Sequence, residues 1–371
     1  MSRGSSIWSI GTAVPEHRVT RQQALRFMKA SYGRQLERDR RLDYLYRRSH
    51  IDVRHSCCPE FGRPPERGRE PSAGGVDSCL FGASGLDRRM ARFETAVVPL
   101  VCEAATKALA DCDDHLRPRD ITHVITVSCT GFFSPGPEVQ IIEGLGLRRD
   151  IRRLNIGFMG CQAALHALQV ADSICRGAPD AVVLIICAEL CTIHFHGDPS
   201  EENLIINSLF ADGAAAAVVS SRQAAPMPRF EFQSFRSYVV PNTESLISWR
   251  IGRDHFNMGL DRDAVRAIGT HLPGFVNSLL STAETARADS LGWAVHPGGR
   301  AVLDRVAACL DLREVDLQAS RQVLRQYGNM SSPTVLFVLD KVLQRAGVAL
   351  SFGPGLTMEG MVWSNGRQGS V

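Results

Sequence analysis

Cys161 follows Phe158-Met159-Gly160 and opens a run, Ala163-Ala164-Leu165-His166-Ala167-Leu168, whose apolar residues recur at three- and four-residue spacing. A thiol at a helix start meets unpaired amide N–H groups and the positive end of the helix dipole, which favour the thiolate. Cys161 is therefore a candidate nucleophile, although a lone Cys before an Ala-rich helix is more often packing than chemistry. Two distant segments add weight. A short apolar strand, Gly292-Trp293-Ala294-Val295, delivers His296 into a Pro297-Gly298-Gly299 turn, and Tyr327-Gly328-Asn329 places a carboxamide in a glycine-led turn ahead of a further apolar helix. Cys, His and Asn each occupy an element end, where a scaffold can aim side chains into one cavity.

The elements that position them alternate. Phe93 to Leu109 has helical periodicity, 121–128 reads as a buried strand, and 181–187, 214–220, 293–295 and 348–352 are further buried-strand candidates. Strands alternating with helices give an α/β class. The run 18–54 is expected to be helical, and 59–85, rich in Pro, Gly and charge, to be an irregular surface segment. Strand, glycine turn and apolar helix occur around Cys161 and again around Asn329, each followed by a small-residue strand, which suggests an internal duplication.

The chain has 371 residues, enough for two domains or one large duplicated unit, and its 44% hydrophobic and 22% charged composition is that of an ordinary globular protein. A net charge of +3 gives no argument for a nucleic-acid partner. No apolar run reaches the roughly 20 residues of a membrane span. Residues Met1 to Trp8 lack the apolar core of a secretory signal, so the eleven cysteines are expected to be reduced thiols in the cytoplasm rather than a disulfide framework. Cys57-Cys58 lacks the spacing of a structural zinc site.

Taken with Leu209-Phe210-Ala211-Asp212-Gly213-Ala214-Ala215 and Ser351-Phe352-Gly353-Pro354-Gly355-Leu356-Thr357-Met358-Glu359, these segments resemble the type III polyketide synthases, the chalcone and stilbene synthase family, in its bacterial branch. Tyr-Gly-Asn-Met-Ser-Ser and Phe-Gly-Pro-Gly-Leu-Thr are the specific strings. The resemblance implies a thiolase fold, a duplicated αβαβα five-layer architecture, with residues 1–225 as the half carrying the nucleophile and 226–371 as the half carrying His and Asn. It implies an acyltransferase that performs iterative decarboxylative Claisen condensation of malonyl-CoA onto an acyl-CoA starter held on Cys161, then cyclises the product to a pyrone, resorcinol or related aromatic. His296 would keep the thiolate by an ion pair and, with Asn329, hydrogen-bond the thioester carbonyl. No metal or other cofactor is required beyond the coenzyme A thioesters themselves.

The resemblance also assigns a cavity. Phe210 matches an aromatic gatekeeper, and the second gatekeeper falls on Met258, or on Phe256 if the alignment slips by two residues. Cys129, Cys191 and His194 match cavity positions, and Trp249 stands where chalcone synthases have a glycine; plain packing is the competing reading for each. Arg48 and Arg54, with Arg47 beside them, would hold coenzyme A phosphates, and Gly298, Gly299 and Ala301 would line the pantetheine tunnel. Members of the family are homodimers, and Phe132-Phe133-Ser134-Pro135-Gly136 corresponds to the loop that closes the partner's cavity. The alternatives are a single-condensation enzyme like ketoacyl-carrier-protein synthase III, or a catalytically idle thiolase-fold pathway partner.

Overall fold

The computed structural model describes residues 4–32, 40–63, 80, 85–112, 116–222, 229–283, 291–343 and 346–364. Its N-terminal part runs β1 (Ser6–Ala13), β2 (His17–Thr20), α1 (Arg21–Ser31), α2 (Arg40–Arg48), β3 (Val53–Ser56), α3 (Leu86–Ala110), β4 (His123–Ser128), α4 (Pro137–Gly144), β5 (Arg152–Gly157), α5 (Ala163–Gly177), β6 (Val182–Leu190), α6 (Glu201–Leu209) and β7 (Asp212–Ser220). The remainder runs β8 (Phe230–Val239), β9 (Ile247–Ile251), β10 (Phe256–Leu260), α7 (Asp263–Leu280), β11 (Gly292–Val295), α8 (Arg300–Leu310), α9 (Gln318–Tyr327), α10 (Thr334–Lys341), β12 (Ala346–Gly353) and β13 (Thr357–Ser364).

Every residue of β6 and β7 is buried. Helices cover both faces there, so an unbroken run of Val, Ile and Ala replaces polar alternation. Helix α3 packs on β1, β6 and β7, while α5 touches β4, β6 and β7 on one side and β12 and β13 on the other. Helix α10 is similarly placed, against β1 and β7 and against β11 and β12, and α7 packs on β8 and β13. Two sheet regions thus enclose α5 and α10, with α3 and α7 outside, which is the five-layer order of the thiolase fold.

The duplication is visible in the strand pairing. β1 pairs antiparallel with β7, β7 antiparallel with β6, and β6 parallel with β4; β8 pairs antiparallel with β13, β13 antiparallel with β12, and β12 parallel with β11. The two sets join edge to edge through β1 and β8, at Ser6↔Glu231 and Ile7↔Phe230, into one nine-stranded sheet of order β11-β12-β13-β8-β1-β7-β6-β4-β5. In this repeat α5 and α10 are equivalent, so Cys161 and Asn329 precede corresponding helices. The strand expected immediately before Asn329 is instead helix α9, and the Asn329 backbone makes only an isolated bridge to Phe210.

The run 18–54 is not one helix. It contains α1 and α2, flanked by β2 and β3, which pair antiparallel from His17↔Ser56 to Thr20↔Val53. Thr20 ends the strand by capping α1, its hydroxyl accepting from Gln23 N. Most of the segment 59–85 expected to be irregular lies outside the described residues.

Candidate active site

Cys161 sits on the turn between β5 and α5, where Phe158 and Gly160 both take positive φ, 57° and 81°. His296 extends β11 by one residue, its N–H donating to Leu350 O at 2.8 Å, before Pro297 and Gly298 turn the chain. Asn329 follows Gly328, whose φ of 75° favours glycine. Its N–H donates to Leu209 O at 3.0 Å and its carbonyl accepts from Ala211 N at 2.9 Å. The carboxamide is fixed too, with Oδ1 accepting from Ser331 N at 2.8 Å and Nδ2 donating to Gly298 O at 3.1 Å. That last bond joins the Asn329 turn to the His296 turn.

The three side chains line one narrow cavity of ≈ 130 Å³. Burial dominates its electrostatics, because removal from solvent penalises either charge. It pushes the Cys161 thiol up to about 11, partly offset by the Ser331 hydroxyl, and pushes the His296 imidazole down to about 3. Burial thus disfavours the charged form of each group, a cost that an ion pair between them would have to offset. His296 is 1% exposed, and among the described residues neither ring nitrogen has a hydrogen-bond partner. An orphaned buried imidazole is a polar group awaiting a ligand.

Phe210, Met258, Cys129, Trp249, Cys191, His194 and Gly298 line the same cavity. Phe256 lines it as well. Alternation along β10 puts Phe256, Met258 and Leu260 on one face, so an alignment slip of two residues does not change which side of the strand is meant. The indole of Trp249 donates to Cys129 O at 2.6 Å and stands edge-on to His194. His194 accepts from Phe256 N through Nδ1 at 3.1 Å and meets Thr130 O through Nε2 at 2.6 Å, which fixes the proton on Nε2. Its ring stacks on Phe256 at 4.2 Å, and burial pushes its pKa down to about 3. His194 is thus a neutral wall, held at both nitrogens.

Of the residues expected to bind coenzyme A, Gly298 lines the cavity. Arg47 and Arg48 are exposed at the end of α2, Arg48 lying over the Tyr44 ring. Gly299 is buried against Leu209, and Ala301 is exposed on the first turn of α8. Arg54 is the clear correction. It is 1% exposed, and its guanidinium donates to Asn207 O, Ser208 O and Phe210 O at 2.9, 2.6 and 3.2 Å. The β2–β3 pairing turns it inward, so it cannot reach a phosphate in solvent.

Two residues of the site had no role assigned from sequence. Ser331, at φ 57°, places its hydroxyl 3.4 Å from Cys161 Sγ and 3.7 Å from Cys129 Sγ. Glu189, fully buried at the end of β6, accepts from Cys129 N (3.0 Å), Thr130 N (3.1 Å), Thr130 Oγ1 (2.7 Å) and Ser332 Oγ (2.6 Å). Burial pushes its pKa up. A lone carboxylate ending the apolar run Val182-Val183-Leu184-Ile185-Ile186-Cys187-Ala188 was the available signal. Among the described residues, no group of His, Cys, Asp and Glu could hold a metal ion, and no helix is long and apolar enough to cross a membrane.

This arrangement agrees with comparisons to known proteins. Residues 2–223 match the N-terminal domain, and residues 231–365 the C-terminal domain, of the chalcone and stilbene synthases. The chain is 33% identical over 296 residues to "Type III polyketide synthase 21" of Oryza sativa subsp. japonica, covering 76% of this chain and 75% of that one. It is 27% identical over 376 residues to "Probable polyketide synthase 1" of Dictyostelium discoideum, matching 98% of this chain but spanning only 12% of that far longer protein. In three dimensions it superposes on the C-terminal type III polyketide synthase domain of Steely1, a type I/III hybrid from Dictyostelium, with a TM-score of 0.89 and 28% identity over 98% of this chain and 99% of that domain. The chain belongs to the chalcone and stilbene synthase family, the type III polyketide synthases.

Proposed function

We propose that the protein loads an acyl group from an acyl-CoA starter onto Cys161, extends it with several malonyl-CoA units, and cyclises the product in the same cavity. The observation that carries this reading is the convergence of Cys161, His296 and Asn329, from three distant segments, on one buried cavity in which the imidazole lacks a partner.

The chemistry follows from the groups. In loading, the Cys161 sulfur–acyl bond forms as the coenzyme A sulfur–acyl bond breaks, and the thiol proton ends on the departing coenzyme A thiolate. Malonyl-CoA then loses its carboxylate as CO2, leaving the bond's electron pair as a thioester enolate. Neutral His296 and the Asn329 Nδ2 donate hydrogen bonds to that oxygen, where charge develops. The enolate carbon attacks the acyl carbonyl on Cys161, and the sulfur leaves as thiolate. Phe210, apolar and beside Asn329, disfavours the malonyl carboxylate and favours neutral CO2.

The same reading divides the chain near residue 225 into two thiolase-like halves, supported by the repeated strand pairing. It includes a homodimer, supported by Phe132, 54% exposed on the 132–136 loop beside exposed Phe158. A cytoplasmic location is also part of it.

The test is mass spectrometry of purified protein incubated with acyl-CoA starters and malonyl-CoA. Wild type should carry an acyl adduct on Cys161 and release condensed products, and Cys161→Ala should do neither. Full condensation by Cys161→Ala would overturn the reading.

A further inference from the structure

The C-terminus of helix α6 leads directly into Phe210, and a helix end leaves its last carbonyls without intrahelical partners. Here the carbonyls from Asn207 to Phe210 are all accounted for, from two sides. Leu209 O accepts from Asn329 N at 3.0 Å. Asn207 O, Ser208 O and Phe210 O accept from the Arg54 guanidinium, and the Tyr46 hydroxyl adds a second bond to Asn207 O at 3.3 Å. Arg54 lies over the Tyr46 ring at 5.6 Å and is anchored on β3, which β2 holds in register. Its positive charge sits at the negative end of the α6 dipole.

We infer that Arg54 is a positioning residue for malonyl decarboxylation: its planar fork grips three carbonyls around Phe210 while Asn329 holds the fourth, so that the aromatic ring and the carboxamide keep a fixed separation across the decarboxylation site. The proposal rests on the condensing activity inferred above. A planar guanidinium can span three carbonyls from one rigid group; a lysine ammonium, a point donor on a flexible stem, cannot hold them in one geometry. Loosening this grip shifts Phe210 and Asn329 relative to the substrate and leaves Cys161, on a different turn, free to accept a starter.

The experiment uses the full chain as wild type, Arg54→Lys, Arg54→Met, Phe210→Leu and the Arg54→Lys/Phe210→Leu double variant. Active sites are counted by alkylation of Cys161. Starter loading is read as the acyl-enzyme mass, and decarboxylation as acetyl-CoA formed from malonyl-CoA alone. Per alkylatable Cys161, Arg54→Lys should lower the decarboxylation kcat about 10- to 100-fold, the scale of an ångström misplacement, with starter loading and the malonyl-CoA KM within about two-fold of wild type. The double variant should lose less than the product of the two single losses, because both substitutions act on the one separation between the Phe210 ring and Asn329. If Arg54→Met does not fold, Arg54→Lys carries the test.

Wild-type decarboxylation by Arg54→Lys overturns the inference, as does a double variant whose losses multiply. So does equal loss of loading and decarboxylation, or loss of all alkylatable Cys161 in the lysine variant, since either marks a role in folding alone. Absence of decarboxylation in wild type would instead defeat the parent reading.

Discussion

The Ser331 hydroxyl accepts from the Cys161 thiol at 3.4 Å while the Cys129 sulfur stands 3.7 Å from the same oxygen. One hydroxyl on a left-handed residue therefore sits between the nucleophile and a second buried thiol. On ionisation the same hydroxyl can turn to donate to the thiolate, which lowers the Cys161 pKa against a larger upward push from burial.

Ser331→Ala should make Cys161 less reactive. Losing one hydrogen bond, about 1 kcal/mol, should slow iodoacetamide alkylation at pH 8 roughly five-fold. An unchanged rate would show that Ser331 does not tune the thiol.

The pH dependence of that alkylation in wild type follows from the raised thiol. With Cys161 near 11, the thiolate fraction and the alkylation rate should rise about tenfold per pH unit from pH 7 to 9. A plateau reached below pH 7 would mean that a thiolate–imidazolium pair exists in the free enzyme.

His296 should make folding acid-sensitive. Its folded pKa of about 3 lies below the ordinary value of 6.5, so below pH 6.5 the unfolded chain binds a proton that the folded chain refuses, and stability falls with pH. His296→Gln removes this contribution. Between pH 6.5 and 5 the variant should gain on the order of 2 kcal/mol relative to wild type in denaturant unfolding. A difference independent of pH would refute the depressed value.

Trp249→Gly should enlarge the cavity and free the Cys129 carbonyl that the indole now binds. Products from a fixed starter should become longer, or longer starters should be accepted, at a stability cost of about 1–3 kcal/mol. An identical product mass profile would show that Trp249 does not limit the chamber.

Gly353 packs against the side chain of Gln162, the residue after the nucleophile. A Cβ at Gly353 would fall 1.4 Å from Gln162 Oε1 and 2.3 Å from its Cδ. Gly353→Ala should cost about 1–3 kcal/mol and slow starter loading by displacing the Cys161 turn. Adding Gln162→Ala should recover most of the lost Tm; no recovery would place the strain elsewhere.

The sequence by itself determined the strands β6 and β7, the helix α3, and the types and turns of Cys161, His296 and Asn329, because apolar periodicity and glycine-led turns are local signals. It did not determine Arg54's surroundings. In a stretch crowded with arginine a guanidinium reads as solvent-facing, and only the β2–β3 pairing turned this one onto carbonyls more than 150 residues away. Glu189 and Ser331 escaped for the same reason, since their partners arrive from other loops. The protonation of the site belongs to tertiary structure as well. A helix start favours a thiolate at Cys161 while burial in the cavity opposes it, and burial is a property of packing that no local stretch of sequence contains.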